Sequence, residues 1–325
     1  MNADAHALAQ GALTRKAALA SVAVAVILLG LKIAALWSTR SVAMLGSVAD
    51  TALDLVASLV TLCGVHVAAT PADTQHRFGH GKAEALAALF QVTLITLAAV
   101  GLAVESFRRI GNPHPVESAT LGIGVSIAAI LLSFVLIAYQ RRVIAQTGSL
   151  AISTDSLHYK SDFFLNLSVI VALVLDHVMG IQGADTLFGF GIALWLGWGA
   201  WRSGQSAMEH LMDQEWPIED RERLIAIASA HPEVRGLHDM RTRTSGSHRF
   251  AQFHVWVDPD MTVRRVHDVM DDVEEQLHAA FPGVEILIHP DPDGHVERKD
   301  PGALRGRDAF EVLAEEMGEG DDQQA

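Results

Sequence analysis

Residues 155–166 read "DSLHYKSDFFLN". The apolar run that follows, Phe163 to Leu175, holds only thirteen residues, whereas a membrane-spanning helix takes about 20. The run reaches that length only if it extends back to about Ser153, through Asp155, His158, Lys160 and Asp162. Either the segment is not a span, or ionisable groups lie at membrane depth. Insertion scales put each such group at roughly 2.5–3.5 kcal/mol at a helix centre. In the second case the groups need partners and a use.

The flanking sequence favours the second case. Long apolar stretches recur at about 17–37, 41–69, 85–104, 117–139 and 186–201. With the shortened stretch they make six candidate spans. Six spans put both ends of this region on one side. That side carries Arg15, Lys16, Arg77, Lys82, Arg141, Arg142 and Arg202, and the other carries Arg40, Arg108 and Arg109. By the positive-inside rule both termini are expected in the cytoplasm. The run from Ala17 to Trp37 is longer than the apolar core of a cleaved signal and reads as a first span that stays.

Charge divides the chain in two. Residues 1–206 hold 12 Lys and Arg against 11 Asp and Glu, and residues 207–325 hold 12 against 27. A near-neutral apolar half followed by an acidic half predicts a membrane domain joined to a cytoplasmic one. Neither half is basic, so no nucleic-acid partner is expected. Cys63 is the only cysteine, which excludes an intrachain disulfide and a cysteine-rich zinc site.

Beyond Trp201 the pattern becomes that of a small folded domain. "PIEDRERLIAIASAH" (217–231) has apolar residues at helical spacing behind an acidic start. "VRGLHDMRTRTSG" and "HRFAQFHVWVD" read as two strands joined by a Ser-Gly turn, with Ala251, Phe253, Val255 and Val257 alternating with Gln252, His254 and Trp256. "VRRVHDVMDDVEEQLHAAF" (263–281) is an amphipathic helix, and "PGVEILIHPDP" is a last strand. The expected fold is an α-helical membrane bundle of six transmembrane helices over 1–206. A small α+β domain of order α-β-β-α-β over 207–295 follows it. Residues 296–325 are expected to form an acidic, mostly disordered tail with a short helix around 308–317.

The membrane half carries its ionisable residues in pairs. Asp50 and Asp54 are four apart in the second stretch, and His158 and Asp162 are four apart in the fifth. Residues i and i+4 share a helix face. Two helices packed on those faces would bring three carboxylates and one imidazole to a point, an N/O set that zinc accepts. A helix-helix hydrogen-bonding role explains one such Asp more readily than two spaced pairs. Asp155 and Lys160 fall on other faces and are expected at the membrane interface, the lysine reaching outward along its stem. In the loop "PADTQHRFGHGKAEAL", Asp73, His76 and His80 lie within eight residues. They are either a three-ligand surface site or a solvated polar loop. In the second half, His238, His254, His267, His289 and Asp291 could converge on one edge of the domain and hold two metals, with Asp291 as a bridge. His231, His248 and His278 read as surface residues.

Five stretches, "SVADTALDLVASL", "PADTQHRFGHGKAEALAAL", "DSLHYKSDFFLN", "HDMRTRTSG" and "ILIHPDP", resemble the motifs of the cation diffusion facilitator family, in order and over about residues 10–295. The resemblance is closest to its bacterial zinc and ferrous-iron efflux members. It implies a metallochaperone-like cytoplasmic domain and a homodimer in the cytoplasmic (inner) membrane. It also implies an intramembrane transport site at Asp50, Asp54, His158 and Asp162, and a loop site at Asp73, His76 and His80. A binuclear cytoplasmic site would lie at His238, His254, His267, His289 and Asp291, and a dimer-interface ion pair at Lys82 and Asp213. Zn²⁺ is the expected cargo and structural or regulatory ion, with Cd²⁺ and Fe²⁺ as further cargo and protons as the exchanged ion. Three other readings of the residues stay open here: a membrane-anchored zinc hydrolase or metal sensor built on the second-half cluster, and a passive channel.

Overall fold

The structure is a computed structural model that describes residues 3–39, 42–109, 120–179, 184–294 and 308–322. Residues 9–211 form one compact unit, and residues 212–325 with 1–8 form a second.

The first unit is built from six long helices, α1 (Ala3–Thr39), α2 (Val42–Ala68), α3 (Ala83–Arg109), α4 (Thr120–Thr147), α5 (Leu150–Met179) and α6 (Ala184–Leu211). Among the described residues, four segments are long and apolar enough to cross a membrane: Ala9–Ser38, Leu45–Ala68, Ala83–Arg108 and Gly124–Thr147. Helices α5 and α6 match them in length, at 30 and 28 residues. The polar groups between Asp155 and Asp162 dilute α5, and glycines and tryptophans dilute α6. Large apolar side chains such as Leu97, Phe107, Leu131, Val135 and Leu194 point outward. A water-soluble bundle would bury them, whereas lipid solvates them.

Packing inside the bundle relies on small residues. Ile95 and Ala99 of α3 meet Leu196 and Ala200 of α6. Ala17, Ala18, Val65, Val143, Ala151 and Ile152 join α1, α2, α4 and α5. Helices α2 and α3 approach closely at Gly64, where a Cβ would lie 2.4 Å from Ala87 Cβ and 3.1 Å from the Ala83 carbonyl oxygen.

The second unit follows the expected order: α7 (Ile218–Ala228), β1 (Gly236–Ser245), β2 (His248–Val257), α8 (Val263–Ala280) and β3 (Val284–Pro292). The sheet order is β1-β2-β3. The β1–β2 pair is an antiparallel hairpin turning at Gly246, whose φ of +59° suits glycine. Strand β3 runs parallel to β2, so the chain must cross over between them, and α8 is that crossover. Thr262 caps α8 by accepting from the Arg265 N–H. The alternation along β2 sends Ala251, Phe253, Val255 and Val257 into a core shared with Leu224 and Ile225 of α7 and Val273 and Leu277 of α8.

The tail departs from expectation over its described part. Residues Ala309–Asp322 form a helix, α9, longer than the expected one and docked on the domain. Ala309 and Leu313, four apart, are buried in the domain core, and His238 makes an isolated antiparallel bridge with Asp308. An acidic composition hides this one-sided apolar face. Residues 295–307 and 323–325 lie outside the described residues.

The approach at Gly64 generates a prediction. Gly64→Ala overpacks the α2–α3 contact and should destabilise the bundle by about 1–3 kcal/mol. Adding Ala87→Gly should restore it. Thermal melting of the purified chain checks both, and an unchanged melting temperature in Gly64→Ala would refute so close a contact.

Candidate metal centres

In the helical unit, α2 presents Asp50 and Asp54 one turn apart, and α5 presents His158 and Asp162 one turn apart. Three of the four come together. His158 Nε2 lies 3.0 Å from Asp54 Oδ1 and 3.6 Å from Asp162 Oδ2. Ligand atoms of these three residues lie within 4.8 Å of one another, close enough to share one ion. The cluster borders a cavity of about 290 Å³ that also exposes Asp50, Lys32, Glu105 and Asn166.

The fourth expected ligand, Asp50, shares the cavity but not the three-residue group. Spacing put it on the correct face; four residues at about 1.5 Å rise each separate it from Asp54 by roughly 6 Å along the axis. Lys32 of α1, which sequence reasoning left unassigned, lines the same cavity. The Lys32 amine donates to Thr51 Oγ1 at 2.5 Å and to the Ser47 carbonyl at 3.4 Å. A positive charge is thereby held on the turn that carries Asp50.

Asp155 also departs from expectation. It is fully buried rather than interfacial. Its carboxylate accepts from Ser21 Oγ at 2.5 Å, Gln140 Nε2 at 2.7 Å and Gln91 Nε2 at 2.8 Å. Uncharged Ser and Gln carry no strong signal in a membrane sequence, so this group could not be read there.

The loop between α2 and α3 gathers Asp73, His76 and His80 as a second potential metal group. Asp73 Oδ1 lies 3.3 Å from His76 Nδ1, and Asp73 Oδ2 lies 3.4 Å from His80 Nε2. The backbone N–H groups of His76 and Gln75 donate to Asp73 and hold its carboxyl below the usual carboxylate range. Gly79, at φ +75°, turns the chain so that His76 and His80 approach with ring centroids 4.4 Å apart.

In the second unit the sheet register builds the third group. His238 pairs with His254 across β1–β2, and His254 pairs with His289 across β2–β3. Three imidazoles therefore stand in one row. Asp291, two residues past His289, shares its face. One carboxylate meets all three rings: Asp291 Oδ2 lies 2.8 Å from His254 Nδ1 and 3.2 Å from His238 Nε2, and Oδ1 lies 3.4 Å from His289 Nε2. His238, His254 and Asp291 satisfy the geometry for one shared ion. The donors are imidazole and carboxylate, the set that suits a divalent N/O site.

His267 is not brought into this cluster. It sits on α8 with its side chain 73% exposed, and its Nδ1 lies 3.1 Å from Asp271 Oδ2. A helix opposite the sheet cannot join a row that the sheet register sets within one chain. A residue missed in the sequence stands nearby: Asp239 Oδ2 is 3.8 Å from His254 Nε2. Asp239 occupies a register irregularity in β1 at φ +49°, and irregularities of that kind leave no sequence signature. Lys82 donates to the Leu211 carbonyl at 3.1 Å, and Asp213 lies 3.9 Å from Arg243.

Comparison with known proteins agrees with the geometry. Residues 18–212 match the cation efflux transmembrane domain, and residues 216–293 match the cytoplasmic domain of cation efflux proteins. The chain belongs to the cation diffusion facilitator family. It is 39% identical over 292 residues to the cation-efflux pump FieF of Cronobacter sakazakii, covering 90% of this chain and 97% of that one. It is 41% identical over 278 residues to FieF of Yersinia pestis, covering 86% and 92%. Among solved structures, the CzrB chain (Zn form) is 34% identical with a TM-score of 0.25, covering 26% of this chain and 99% of that one. The metal-bound C-terminal domain of the CzcD transporter from Thermotoga maritima is 25% identical with a TM-score of 0.23, covering 25% and 92%.

As a cation diffusion facilitator the protein is a cation efflux transporter with a helical transmembrane domain and a small cytoplasmic α/β domain. It is not an enzyme, so the hydrolase reading falls.

The buried histidine of the cytoplasmic cluster makes that domain sensitive to pH. Burial first, and then the neighbouring His254, hold the His238 imidazole below its ordinary value against the pull of Asp291. The folded state then carries fewer protons on His238 than the unfolded state does, so acidification favours unfolding. This contribution is fully present above the ordinary imidazole value of about 6.5 and is lost as pH falls below it. The metal-free protein should show a lower melting temperature for this domain at pH 5.5 than at 7.5. His238→Gln should shrink the difference, and a difference that survives the substitution would assign it to another group.

Proposed function

We propose that the protein exports Zn²⁺ from the cytoplasm in exchange for protons, and carries Cd²⁺ and Fe²⁺ as related cargo. The observation that carries this reading is the meeting of Asp54, His158 and Asp162 beside a cavity within the helical unit. An imidazole and two carboxylates form a mixed N/O set of the kind zinc and its borderline neighbours accept. Asp50, which lines the same cavity one turn from Asp54 on α2, is the fourth ligand on this reading and closes on the cation once cargo enters.

A metal binds these groups only when they are deprotonated. Entry of the ion therefore expels protons, and loss of the ion invites them back. If the site faces alternately inward and outward, an inward proton gradient drives metal out. The whole cycle needs six spans with α5 and α6 among them, both termini in the cytoplasm, and a multi-pass position in the inner membrane, as the Arg and Lys distribution predicts.

The working unit on this reading is a homodimer held by the cytoplasmic domains and by a Lys82–Asp213 pair. The cytoplasmic cluster has a regulatory role on this reading: a metal on His238, His254 and Asp291 favours the dimer, and His289 joins a second ion there with a His267 reached only across the dimer. Asp73, His76 and His80 capture ions at the loop.

Zinc flux into proteoliposomes, with and without an imposed pH gradient, tests the reading. His158→Ala and Asp54→Ala should each abolish exchange, while His238→Ala should shift the metal dependence and leave residual transport. Full transport in either of the first two variants, or flux indifferent to the gradient, would sink the exchanger. Repeating the measurement with Cd²⁺, Fe²⁺ and Mn²⁺ ranks the cargo.

A further inference from the structure

Helix α5 carries a second pair of polar residues beside its ligands. Asp155 and Tyr159 are one turn apart and 0% and 1% exposed. At about 100° per residue, Asp155, His158, Tyr159 and Asp162 fall in one stripe about 100° wide, with the ligands along one border and this buried pair along the other.

The buried pair ties α5 to four other helices. Asp155 Oδ2 accepts from Ser21 of α1 and Gln140 of α4, and Oδ1 accepts from Gln91 of α3. Gln140 Nε2 also donates to Ser21 Oγ at 3.0 Å. The Tyr159 hydroxyl donates to the Ser21 carbonyl at 2.8 Å. Its single hydrogen is then spent, so Ser58 of α2, 3.0 Å away, is the donor in their shared bond. One turn earlier, Glu84 of α3 accepts from Ser149 Oγ at 2.8 Å and from the backbone N–H groups of Leu150 and Ala151, which caps the start of α5.

The amides are committed to the carboxylate at their own expense. Gln91 and Gln140 both leave Oε1 buried with no hydrogen-bond partner. A buried orphan acceptor is unfavourable, and turning either amide over would aim its oxygen at Asp155. The geometry is therefore dictated by the carboxylate. Apolar contacts let a helix slide or rotate with little penalty, but three directed bonds to one carboxylate fix both rotation and height.

We propose that Asp155 is a positioning residue for transport: by tying α5 to α1, α3 and α4 it sets the rotation and height at which His158 and Asp162 meet Asp54. This rests on the assignment of those three as cargo ligands. It adds a residue that never touches the cargo.

The test is zinc flux against zinc concentration in proteoliposomes holding the full chain. Asp155→Leu removes every acceptor and should raise KM at least tenfold with a smaller effect on maximal rate. Asp155→Asn keeps the shape, and a turn of one Gln amide re-pairs it, so KM should return to within threefold of the parent. A parental KM in Asp155→Leu would overturn the proposal. So would an Asp155→Asn variant as impaired as Asp155→Leu, because the charge itself would then be in use. If Asp155→Leu does not assemble, Gln140→Leu, which removes one donor, should still raise KM, and an unchanged KM there would overturn the proposal. His158→Ala separates the two levels. Normal flux in it defeats the ligand assignment, whereas a dead His158→Ala beside an unaffected Asp155→Leu defeats the positioning role alone.

Discussion

A charge stays among apolar helices only if other helices bring it partners, and that constraint orders the helical unit. Lipid offers no hydrophobic drive to bring helices together, so directed polar contacts and close small-residue packing decide their arrangement. Three polar side chains of α5 are answered from elsewhere in the bundle: Asp155 by Ser21, Gln91 and Gln140, Tyr159 by Ser21 and Ser58, and His158 by Asp54. The contacts at Ile95, Ala99, Leu196 and Ala200 give cohesion without direction. A cluster of potential ligands and a rigid setting thus come from thirteen residues of α5, Leu150 to Asp162.

The cytoplasmic domain reaches its cluster by another route. There, strand register does what helical spacing does in the bundle. Pairing His238 with His254 and His254 with His289 lines up three rings from three strands. The two-residue period then places Asp291 beside them. A slip of one residue would turn every one of these side chains to the opposite face, so the packing of Phe253 and Val255 beneath the sheet also fixes the row above it.

These two routes explain what could be read in the sequence. Four-residue spacing marks residues that share a helix face, and it put forward Asp54, His158 and Asp162, which the bundle brings together. It does not say at which height the two helices face each other, so Asp50 was grouped with them although only Asp54 of the α2 pair comes level with His158 and Asp162. Asp155 looked interfacial because a carboxylate announces itself in a sequence, whereas Ser21, Gln91 and Gln140, which accommodate it, do not. The α-β-β-α-β order followed from alternation and turn residues. Placing His267 did not, because a residue on a helix joins a row on a sheet only through tertiary packing or a second chain. The tail's short helix was legible but not its full length or its docking, since Ala309 and Leu313 are too few to raise the apolar content of the segment.

The chain order of the Asp155 partners has a consequence for biogenesis. Ser21, Gln91 and Gln140 all precede Asp155, as Asp54 precedes His158. A ribosome makes the accommodating helices first, and the helix that carries Asp155 leaves it when its partners already exist. On the six-span reading, helix α5 passes from the insertion machinery directly onto a waiting polar seam instead of crossing bare lipid. The linear arrangement of the gene product is in this sense an assembly schedule, with the costliest segment delivered late.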